Sequence, residues 1–308
     1  MSKAAKLQGL NAAPHTPFHP DGSLNLKQVE LQATHLIELG VSGVFVGGST
    51  GEFCSLQIEE RLALTRRWCE VTKGSALKIL VHVGSNCQRD SMTLATDAEK
   101  WKVAGIASVA PSYFKPGNVD SLVSYYAPIA AAAPSLAFYH YDIPIFTSVV
   151  LRLPEFLERG IKRIPNLAGM KYSNPDLIQL QELVRCDDGH FDIVFGLDEC
   201  LLGAMALGVV GAVGATYNFA APMYLQLISA FQAGDWETAR QLQYQSVRIV
   251  RILNSFGFTA ASKSVMHHLG IDCGPVRSPL RTLSEQEQTN LIEHLEEEGL
   301  LKVMPKRK

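Results

Sequence analysis

Eight short apolar segments recur over the first two thirds of the chain, and longer segments with apolar residues at three- and four-residue spacing separate most of them. Inside the short segments, apolar residues fill consecutive positions, as in a parallel sheet covered on both faces. The longer segments have the spacing of amphipathic helices. Eight such units predict an α/β fold, a (β/α)8 TIM barrel. The predicted strands are LQGLNAA near residue 10, GVFVGG from Gly43, LKILVHVG from Leu77, GIASVAP from Gly105, LAFYHYDIP from Leu136, LAGMKY from Leu167, DIVFGLDE from Asp192 and GAVGATYN from Gly211.

A doubly wound open sheet is the competing architecture for alternating strands and helices. That architecture commonly carries a G-x-G-x-x-G turn directly after its first strand. No such motif follows the first predicted strand, where the sequence reads AAPHTPF. The barrel is therefore favoured over the open sheet.

The alternation of strands and helices stops at about Asp235. Three helical patterns follow without intervening strands, WETARQLQYQSVRIVRILNSFG, FTAASKSVMHHLGI and SEQEQTNLIEHLEEEGLLKV. Residues 1–232 are predicted to form a catalytic barrel and residues 233–308 a C-terminal helical extension. Because no Pro- or Ser-rich linker separates the two parts, the extension is expected to pack on the barrel.

Composition excludes several classes of partner. Charged residues make up 19% of the 308 residues, the formal net charge is −2, and the basic block is the short tail Lys306–Lys308, so neither nucleic acid nor a membrane surface is expected. No apolar segment reaches the roughly 18 residues of a spanning helix, and the N-terminus lacks the apolar run of a signal peptide. Six scattered cysteines without a C-x-x-C pair indicate reduced thiols in a cytoplasmic protein.

The segment NLAGMKYSNPDL places a lysine at the end of an apolar strand. In a (β/α)8 barrel, reactive groups lie at the carboxyl ends of the strands, and residues at the opposite ends serve stability. Lys78 opens its predicted strand and is expected to be structural, whereas Lys171 is expected to close its strand and to point toward the mouth. A neutral amine there can form a Schiff base and so make or break an adjacent C–C bond. The alternative is a lysine that snorkels to solvent or joins a core ion pair.

The fifth predicted strand ends in FYHYDIP and supplies two tyrosines and a histidine. Alternation along a strand puts Tyr139 and Tyr141 on one face and His140 on the other. Tyr141 lies nearer the mouth, where its phenol can carry a proton between a substrate oxygen and a nitrogen. The alternative is a packing tyrosine whose hydroxyl is satisfied by the protein.

The turn GGSTGEF follows the second predicted strand. Its glycines permit tight turns with exposed backbone N–H groups, and Ser49 and Thr50 add two hydroxyls. Together these groups can cradle a carboxylate. Glu52 is expected near the start of the next helix, where a carboxylate is favoured. The turn is too short for a phosphate-binding loop and lacks a Gly-Lys-Ser/Thr ending.

Two carboxylates, Asp198 and Glu199, close the seventh predicted strand. They can serve as metal ligands, as acid/base groups or as acceptors for a polyol, and the structural alternative is the cap and first turn of the next helix. Without a nearby His-x-His they make a poor transition-metal site. The pair His267–His268 falls in the helical extension and is expected to be structural. Phe53 and Phe146 need only a packing explanation.

G-S-T-G-E after strand two, Y-x-I-P after strand five and a lysine after strand six resemble the pyruvate-dependent class I aldolase family, which includes dihydrodipicolinate synthases and sialic acid lyases. The resemblance covers essentially the whole chain, from PHTPF at residues 14–18 into the helical tail. It implies that Lys171 is the Schiff-base lysine and Tyr141 the proton shuttle. Ser49 and Thr50 would bind the pyruvate carboxylate, with Ser49 linked to Tyr141.

The resemblance also implies an assembly. Tyr113 in APSYF matches a second catalytic tyrosine that family members often contribute across a subunit contact. The family is usually a homotetramer, a dimer of dimers. A homotetramer acting on small molecules is therefore expected, without a metal or organic cofactor.

Details at three positions resemble the sialic acid lyase branch of the family. The arginine that dihydrodipicolinate synthases carry just after the proline is replaced by Ile145 and Phe146. FGLDE and GATYN are similar to the lyases, in which the G-x-D-E element binds the hydroxylated sugar tail. The resemblance thus implies substrate-binding roles for Gly196, Asp198 and Glu199, and for Ser173 near the C4 oxygen.

One departure from that branch bears on the substrate. The lyases commonly have a serine where this chain has Ala215, so one hydrogen bond to the sugar is missing. A neutral hydrogen bond contributes about 0.5–1.5 kcal/mol, which alters binding rather than the reaction. The expected reaction is reversible cleavage of N-acetylneuraminate to N-acetylmannosamine and pyruvate. The alternatives are an aldolase for another 2-keto-3-deoxy sugar acid and a barrel that binds sialic acid or pyruvate as a sensor.

Overall fold

The structure is a computed structural model that describes residues 7–305. Eight parallel strands follow one another around a closed barrel, and the first pairs with the last. All eight predicted strands and the (β/α)8 barrel are confirmed, and the open-sheet alternative is wrong. The strands are β1 (Gly9–Ala12), β2 (Gly43–Val46), β3 (Lys78–His82), β4 (Gly105–Val109), β5 (Ala137–Asp142), β6 (Leu167–Tyr172), β7 (Asp192–Phe195) and β8 (Gly211–Gly214).

Helices surround the barrel and continue beyond it. Several begin where the sequence supplies a cap: the Asp176 carboxylate, after Asn174-Pro175, accepts the N–H groups of Ile178 and Gln179, each at 3.0 Å. The helices are α1 (Gln28–Glu38), α2 (Ile58–Val71), α3 (Gln88–Trp101), α4 (Val119–Ala131), α5 (Pro144–Thr147), α6 (Leu153–Gly160), α7 (Leu177–Arg185), α8 (Leu201–Ala206), α9 (Tyr217–Gln232), α10 (Trp236–Phe256), α11 (Phe258–His268) and α12 (Glu285–Glu297).

Two buried layers follow from the alternation of side chains along the strands. One face of each strand packs against the helices, where Trp68 and Tyr126 are fully buried. The other face fills the barrel interior, where Phe45, Tyr139 and Tyr141 meet smaller residues of the other strands. The predicted separation of Tyr139 and Tyr141 from His140 is confirmed, since His140 bonds to Tyr126 in the outer layer at 2.9 Å. Interior side chains near the strands' carboxyl ends therefore face the mouth of the barrel.

Strand β6 carries one extra residue relative to β5. Phe138 pairs with Leu167, and the next residue of β5, Tyr139, pairs with Gly169, so Ala168 is left over. Such a bulge changes which face the following side chains occupy.

The bulge turns Lys171 into the barrel. Ala168 packs in the interior, Met170 faces the helices, and Lys171 faces inward again. A Cβ at Gly169 would lie 1.8 Å from the Asp192 carbonyl oxygen, so this close approach of β7 requires glycine. Strict alternation without the extra residue would have pointed Lys171 outward, toward the helices.

The three predicted C-terminal helices are confirmed as α10, α11 and α12. They pack on the barrel: Gln243 of α10 donates to the Asp198 carbonyl at 3.1 Å, and Ser246 bonds to Tyr224 of α9 at 2.6 Å. The division at residues 232 and 233 stays a prediction. Residues 1–6 and the basic tail Lys306–Lys308 lie outside the described residues.

The described residues include no helix long and apolar enough to cross a membrane. All six cysteines are unpaired.

Candidate active site

A cavity of about 270 Å³ opens at the carboxyl ends of the strands. It brings together groups from the loops after β2, β5, β6, β7 and β8, as expected for a barrel of this kind. The predicted site residues that line it are Ser49, Thr50, Tyr141, Lys171, Ser173, Gly196, Asp198 and Glu199.

Lys171 lies at the base of this cavity and is only 5% exposed. Its Nζ atom lies 4.2 Å from the ring centre of Phe45 and 4.2 Å from that of Tyr141. The two ring faces hold the amine in one position. The alternative of a lysine that snorkels to solvent is therefore wrong. Phe45, on the inward face of β2, was missed by sequence reasoning, although its place in the alternation of β2 could have indicated it.

The hydroxyl of Tyr141 lies 3.3 Å from Ser49 Oγ. The predicted link between these two groups is thus confirmed. Because Tyr141 and Lys171 are paired neighbours on β5 and β6, the phenol, the amine and the Ser49 hydroxyl share one corner of the cavity. Such a set can bind a carboxylate and move a proton beside it.

The turn that carries Ser49 rests on His82, which sequence reasoning did not identify. Burial and the Arg61 charge hold the pKa of His82 well below its usual value, so the ring is neutral. Its Nδ1 lies 2.9 Å from the Gly47 carbonyl and donates to it, while Nε2 accepts the Val109 N–H. Buried Arg61 donates to the His82 carbonyl at 2.7 Å. These contacts position the turn from below.

Ser173 and Gly196 lie against each other on neighbouring loops. A Cβ at Gly196 would be 2.0 Å from Ser173 Oγ, so glycine leaves the space for this hydroxyl. Ser173 Oγ is buried and has no hydrogen-bond partner among the residues that the structure describes. A buried hydroxyl without a protein partner beside a cavity is suited to bind a ligand.

Asp198 is buried beside the cavity, and its carboxylate accepts the backbone N–H of Thr216 at 2.8 Å and the Thr216 hydroxyl at 2.6 Å. Burial raises the pKa of Asp198 to about 6. Its side chain does not cap a helix, although Asp198 and Glu199 both lie in the first turn of the short 3₁₀ helix Asp198–Cys200, as the structural alternative expected. Glu199 also lines the cavity.

The C-terminal extension contributes a wall of the cavity that sequence reasoning missed. Val250 and Asn254 of α10 and Phe258 and Thr259 of α11 all line it. No local pattern in these helices distinguishes them, because their position depends on how the extension packs on the barrel.

Three further residues named from the sequence lie around the cavity or outside it, and the packing expectation for Phe146 is wrong. Phe146 is 69% exposed and lines the cavity mouth with Ile145, so it does not pack in a core. Glu52 lies at the start of the short 3₁₀ helix Phe53–Ser55, as expected, but its backbone is left-handed, φ 55°, and its carboxylate does not cap this helix; it is buried against Lys263. Tyr113 is 77% exposed and lies outside the cavity of its own chain, with its ring edge-on to that of Phe114, so its expected role across a subunit contact stays a prediction.

Neither His267 nor His268 lines the cavity, and their structural role stays a prediction. Within residues 7–305, no group of three or more His, Cys, Asp or Glu side chains is arranged to hold a metal ion.

Fold and cavity define a class: (β/α)8 barrels with a buried lysine at the carboxyl end of the sixth strand. The model of the dihydrodipicolinate synthetase family matches residues 6–298. The chain belongs to this family.

Individual proteins are similar to this chain over almost its whole length. The N-acetylneuraminate lyase of Danio rerio is 39% identical over 282 residues, which cover 90% of this chain and 92% of the relative. The structure of the Proteus mirabilis N-acetylneuraminate lyase superposes with a TM-score of 0.94 at 39% identity, covering 96% of this chain and 100% of the other. The corresponding enzyme of Aliivibrio salmonicida also gives a TM-score of 0.94, at 40% identity over 97% and 99% of the two chains.

Proposed function

We propose that this chain is a Schiff-base aldolase that reversibly cleaves N-acetylneuraminate to N-acetylmannosamine and pyruvate. The observation that carries the proposal is the buried amine of Lys171, enclosed by Phe45 and Tyr141 in a cavity whose polar groups match a sugar acid. The similarity to N-acetylneuraminate lyases over nine tenths of the chain supports the same reaction.

In the first half of the proposed reaction, the amine of Lys171 attacks the C2 ketone of the open-chain sugar acid. Ser49 and Thr50 hold the substrate carboxylate. Tyr141 delivers a proton to the carbinolamine hydroxyl, water leaves, and a protonated imine remains. The positively charged imine then serves as the electron sink for the next step.

In the second half, Tyr141 and the substrate carboxylate take the proton of the C4 hydroxyl. The C3–C4 bond breaks, its electron pair moves to the imine as an enamine, and C4 becomes the aldehyde of N-acetylmannosamine. Protonation of C3 and addition of water then release pyruvate and restore Lys171. These steps use no metal or organic cofactor.

The sugar tail would lie along the loops after β6, β7 and β8. In this proposal Ser173 contacts the C4 oxygen, and Asp198, Glu199 and the Gly196 backbone bind tail hydroxyls. Their common lining of one cavity supports the assignment.

Tyr113 is proposed to act in a neighbouring subunit of a homotetramer. Its exposure, 77%, and that of Phe114, 86%, support a covered position in an assembly. The six unpaired cysteines support a cytoplasmic location.

The decisive experiment measures pyruvate release from N-acetylneuraminate with a lactate dehydrogenase couple. Wild-type protein is expected to release pyruvate, and Lys171→Ala is expected to release none. Lys78→Ala, which removes an exposed lysine at the opposite end of the barrel, is the matched control and should retain full activity. Near-wild-type turnover by Lys171→Ala would refute the mechanism.

Assays on the same wild-type protein distinguish two alternative functions. Release of pyruvate only from other 2-keto-3-deoxy sugar acids would identify another aldolase of the family. Binding of sialic acid without any product would identify a sensor.

A further inference from the structure

The turn at Ser49–Glu52 has a backbone that its own sequence does not favour. Glu52 lies in the left-handed region, at φ 55° and ψ 37°, which is unfavourable for a residue with a Cβ and persists only when the surroundings hold it. The Glu52 N–H closes the turn by donating to the Ser49 carbonyl at 3.0 Å. The orientation of the Ser49 and Thr50 hydroxyls therefore depends on what holds Glu52.

The carboxylate of Glu52 is held by the C-terminal extension. Lys263 of α11 places its Nζ 2.6 Å from Glu52 Oε1, and the two side chains are 3% and 1% exposed. The backbone N–H of Arg277 donates to the other carboxylate oxygen at 2.8 Å. Both oxygens of a buried anion are thus engaged by residues more than 200 positions away in the sequence.

The ammonium group of Lys263 is satisfied by further contacts. It donates to the Pro275 carbonyl at 2.7 Å and lies 4.4 Å from the ring centre of Phe18. The guanidinium of Arg277 lies on the same ring, at 4.3 Å, and donates to the Ser55 carbonyl at 2.8 Å. The ion pair is the centre of a small network that joins the turn, the segment before α1 and the extension.

This network is expected to contribute little to the free energy of unfolding. A buried ion pair loses the hydration of both charges, and replacing such a pair by apolar residues is often neutral or stabilising. What the pair supplies is a fixed geometry, because a charged, doubly engaged carboxylate tolerates little displacement. The geometry it fixes is that of a turn two residues from the Thr50 hydroxyl.

We propose that the Glu52–Lys263 ion pair is a positioning device for carboxylate binding: it locks the Ser49–Glu52 turn onto helix α11, so that the helical extension takes part in binding the pyruvate carboxylate. Glu52 and Lys263 act through Ser49 and Thr50 and are positioning residues. The inference rests on the proposed function to the extent that these hydroxyls bind the carboxylate.

The test uses pyruvate as the probe, through the concentration that gives half-maximal borohydride trapping on Lys171, followed by intact-protein mass. The main variant is Glu52→Gln with Lys263→Met, which removes both charges together. Glu52→Gln alone is the second variant, since it keeps the shape and an oxygen that can accept the Arg277 N–H. Arg66→Met, which breaks the exposed Arg66–Glu70 pair at 2.9 Å, is the control.

The half-saturating pyruvate concentration should rise about tenfold or more in the double variant and rise in Glu52→Gln, since small displacements of positioning groups are costly. Trapping at saturating pyruvate should still reach the wild-type level, because Lys171 is intact, and Arg66→Met should behave as wild type. A folded double variant with an unchanged half-saturating concentration would overturn the proposal. Failure of both variants to fold would assign the pair to stability and would overturn it equally.

Because pyruvate is the only probe, a failure of this inference can be distinguished from a failure of the proposed function. Wild-type protein that traps pyruvate but does not cleave N-acetylneuraminate would contradict the proposed substrate, and the positioning role would still be measured by the same titration.

Discussion

The two ends of the barrel interior use the same residue types for different purposes. Tyr139 and Tyr141 lie two positions apart on β5 and both face inward. At the lower end, the Tyr139 hydroxyl donates to the Asp192 carboxylate at 2.9 Å, and the same oxygen accepts the Leu7 N–H at 2.8 Å. At the upper end, the Tyr141 hydroxyl meets the Ser49 hydroxyl at 3.3 Å. A short bond to a buried carboxylate stabilises the fold, whereas a looser contact at a cavity leaves the phenol available to a substrate.

Cavities at the two ends differ in the same way. A lower cavity of about 370 Å³ lies beside the first residues of β1 and β8, and its described lining contains no titratable side chain. The upper cavity, about 270 Å³, contains a lysine, a tyrosine and two carboxylates. Size therefore does not identify the site, and the chemistry of the lining does.

The largest expected effect is a contrast between the two tyrosines. Tyr141→Phe should lower kcat for pyruvate release by about 10²- to 10⁴-fold, because a positioned acid/base group contributes that much. Tyr139→Phe should leave kcat within about twofold and lower the free energy of unfolding by about 1–3 kcal/mol, since the buried carboxylate loses a donor. Steady-state kinetics and urea denaturation measure both. A Tyr141→Phe protein with an unchanged kcat and an altered KM would show that Tyr141 has no catalytic role. The two tyrosines would then not differ in function as described.

Asp198, which follows β7 at the upper end of the barrel, is expected to make the stability of the protein depend on pH. Its pKa is raised from 3.8 to about 6 by burial, so between about pH 4 and pH 6 the folded protein keeps a proton that the unfolded chain releases. The unfolding free energy should therefore fall as pH rises through this window, by up to about 3 kcal/mol for this group. Asp142, with its pKa also raised to about 6 by burial, adds to the same slope.

Asp198→Asn should flatten part of this pH dependence, measured by urea denaturation from pH 4 to pH 7. The exposed substitution Asp188→Asn serves as the control and should leave the slope unchanged. An Asp198→Asn protein with the full wild-type slope would show that burial does not raise the pKa of this carboxyl group.

The smallest expected effect concerns one hydrogen bond between the upper cavity and the sugar. Ala215 lines it, at the position where the sequence resemblance implies a serine in the sialic acid lyases. Ala215→Ser should lower KM for N-acetylneuraminate by about two- to tenfold, the effect of one hydrogen bond of about 0.5–1.5 kcal/mol. Half-saturating pyruvate should not change, because the added hydroxyl would meet the sugar. An unchanged KM would indicate that another side chain already supplies this hydrogen bond.

Local sequence patterns were sufficient to locate the strands and the three C-terminal helices, and to place Lys171 and Tyr141 at the cavity. The catalytic roles of these two residues came from the family resemblance and stay predictions. Both could be placed there because they lie near the carboxyl ends of their strands, and these ends meet at one mouth. Contacts that depend on distant segments could not be predicted. Three side chains are brought to the site by the packing of distant segments, which leaves no local pattern. They are His82 beneath the turn, Thr259 in the cavity wall and Lys263 against Glu52.

The sequence by itself determined the number and order of the strands and the approximate position of each, because apolar runs and their spacing reflect burial within each segment. Only the tertiary structure decided that Lys171 faces inward. That orientation depends on the extra residue Ala168 in the pairing of β6 with β5, and on the close approach of β7 over Gly169. Register between strands is set by partners distant in the chain, so one extra residue reverses the direction of a side chain without changing the local pattern.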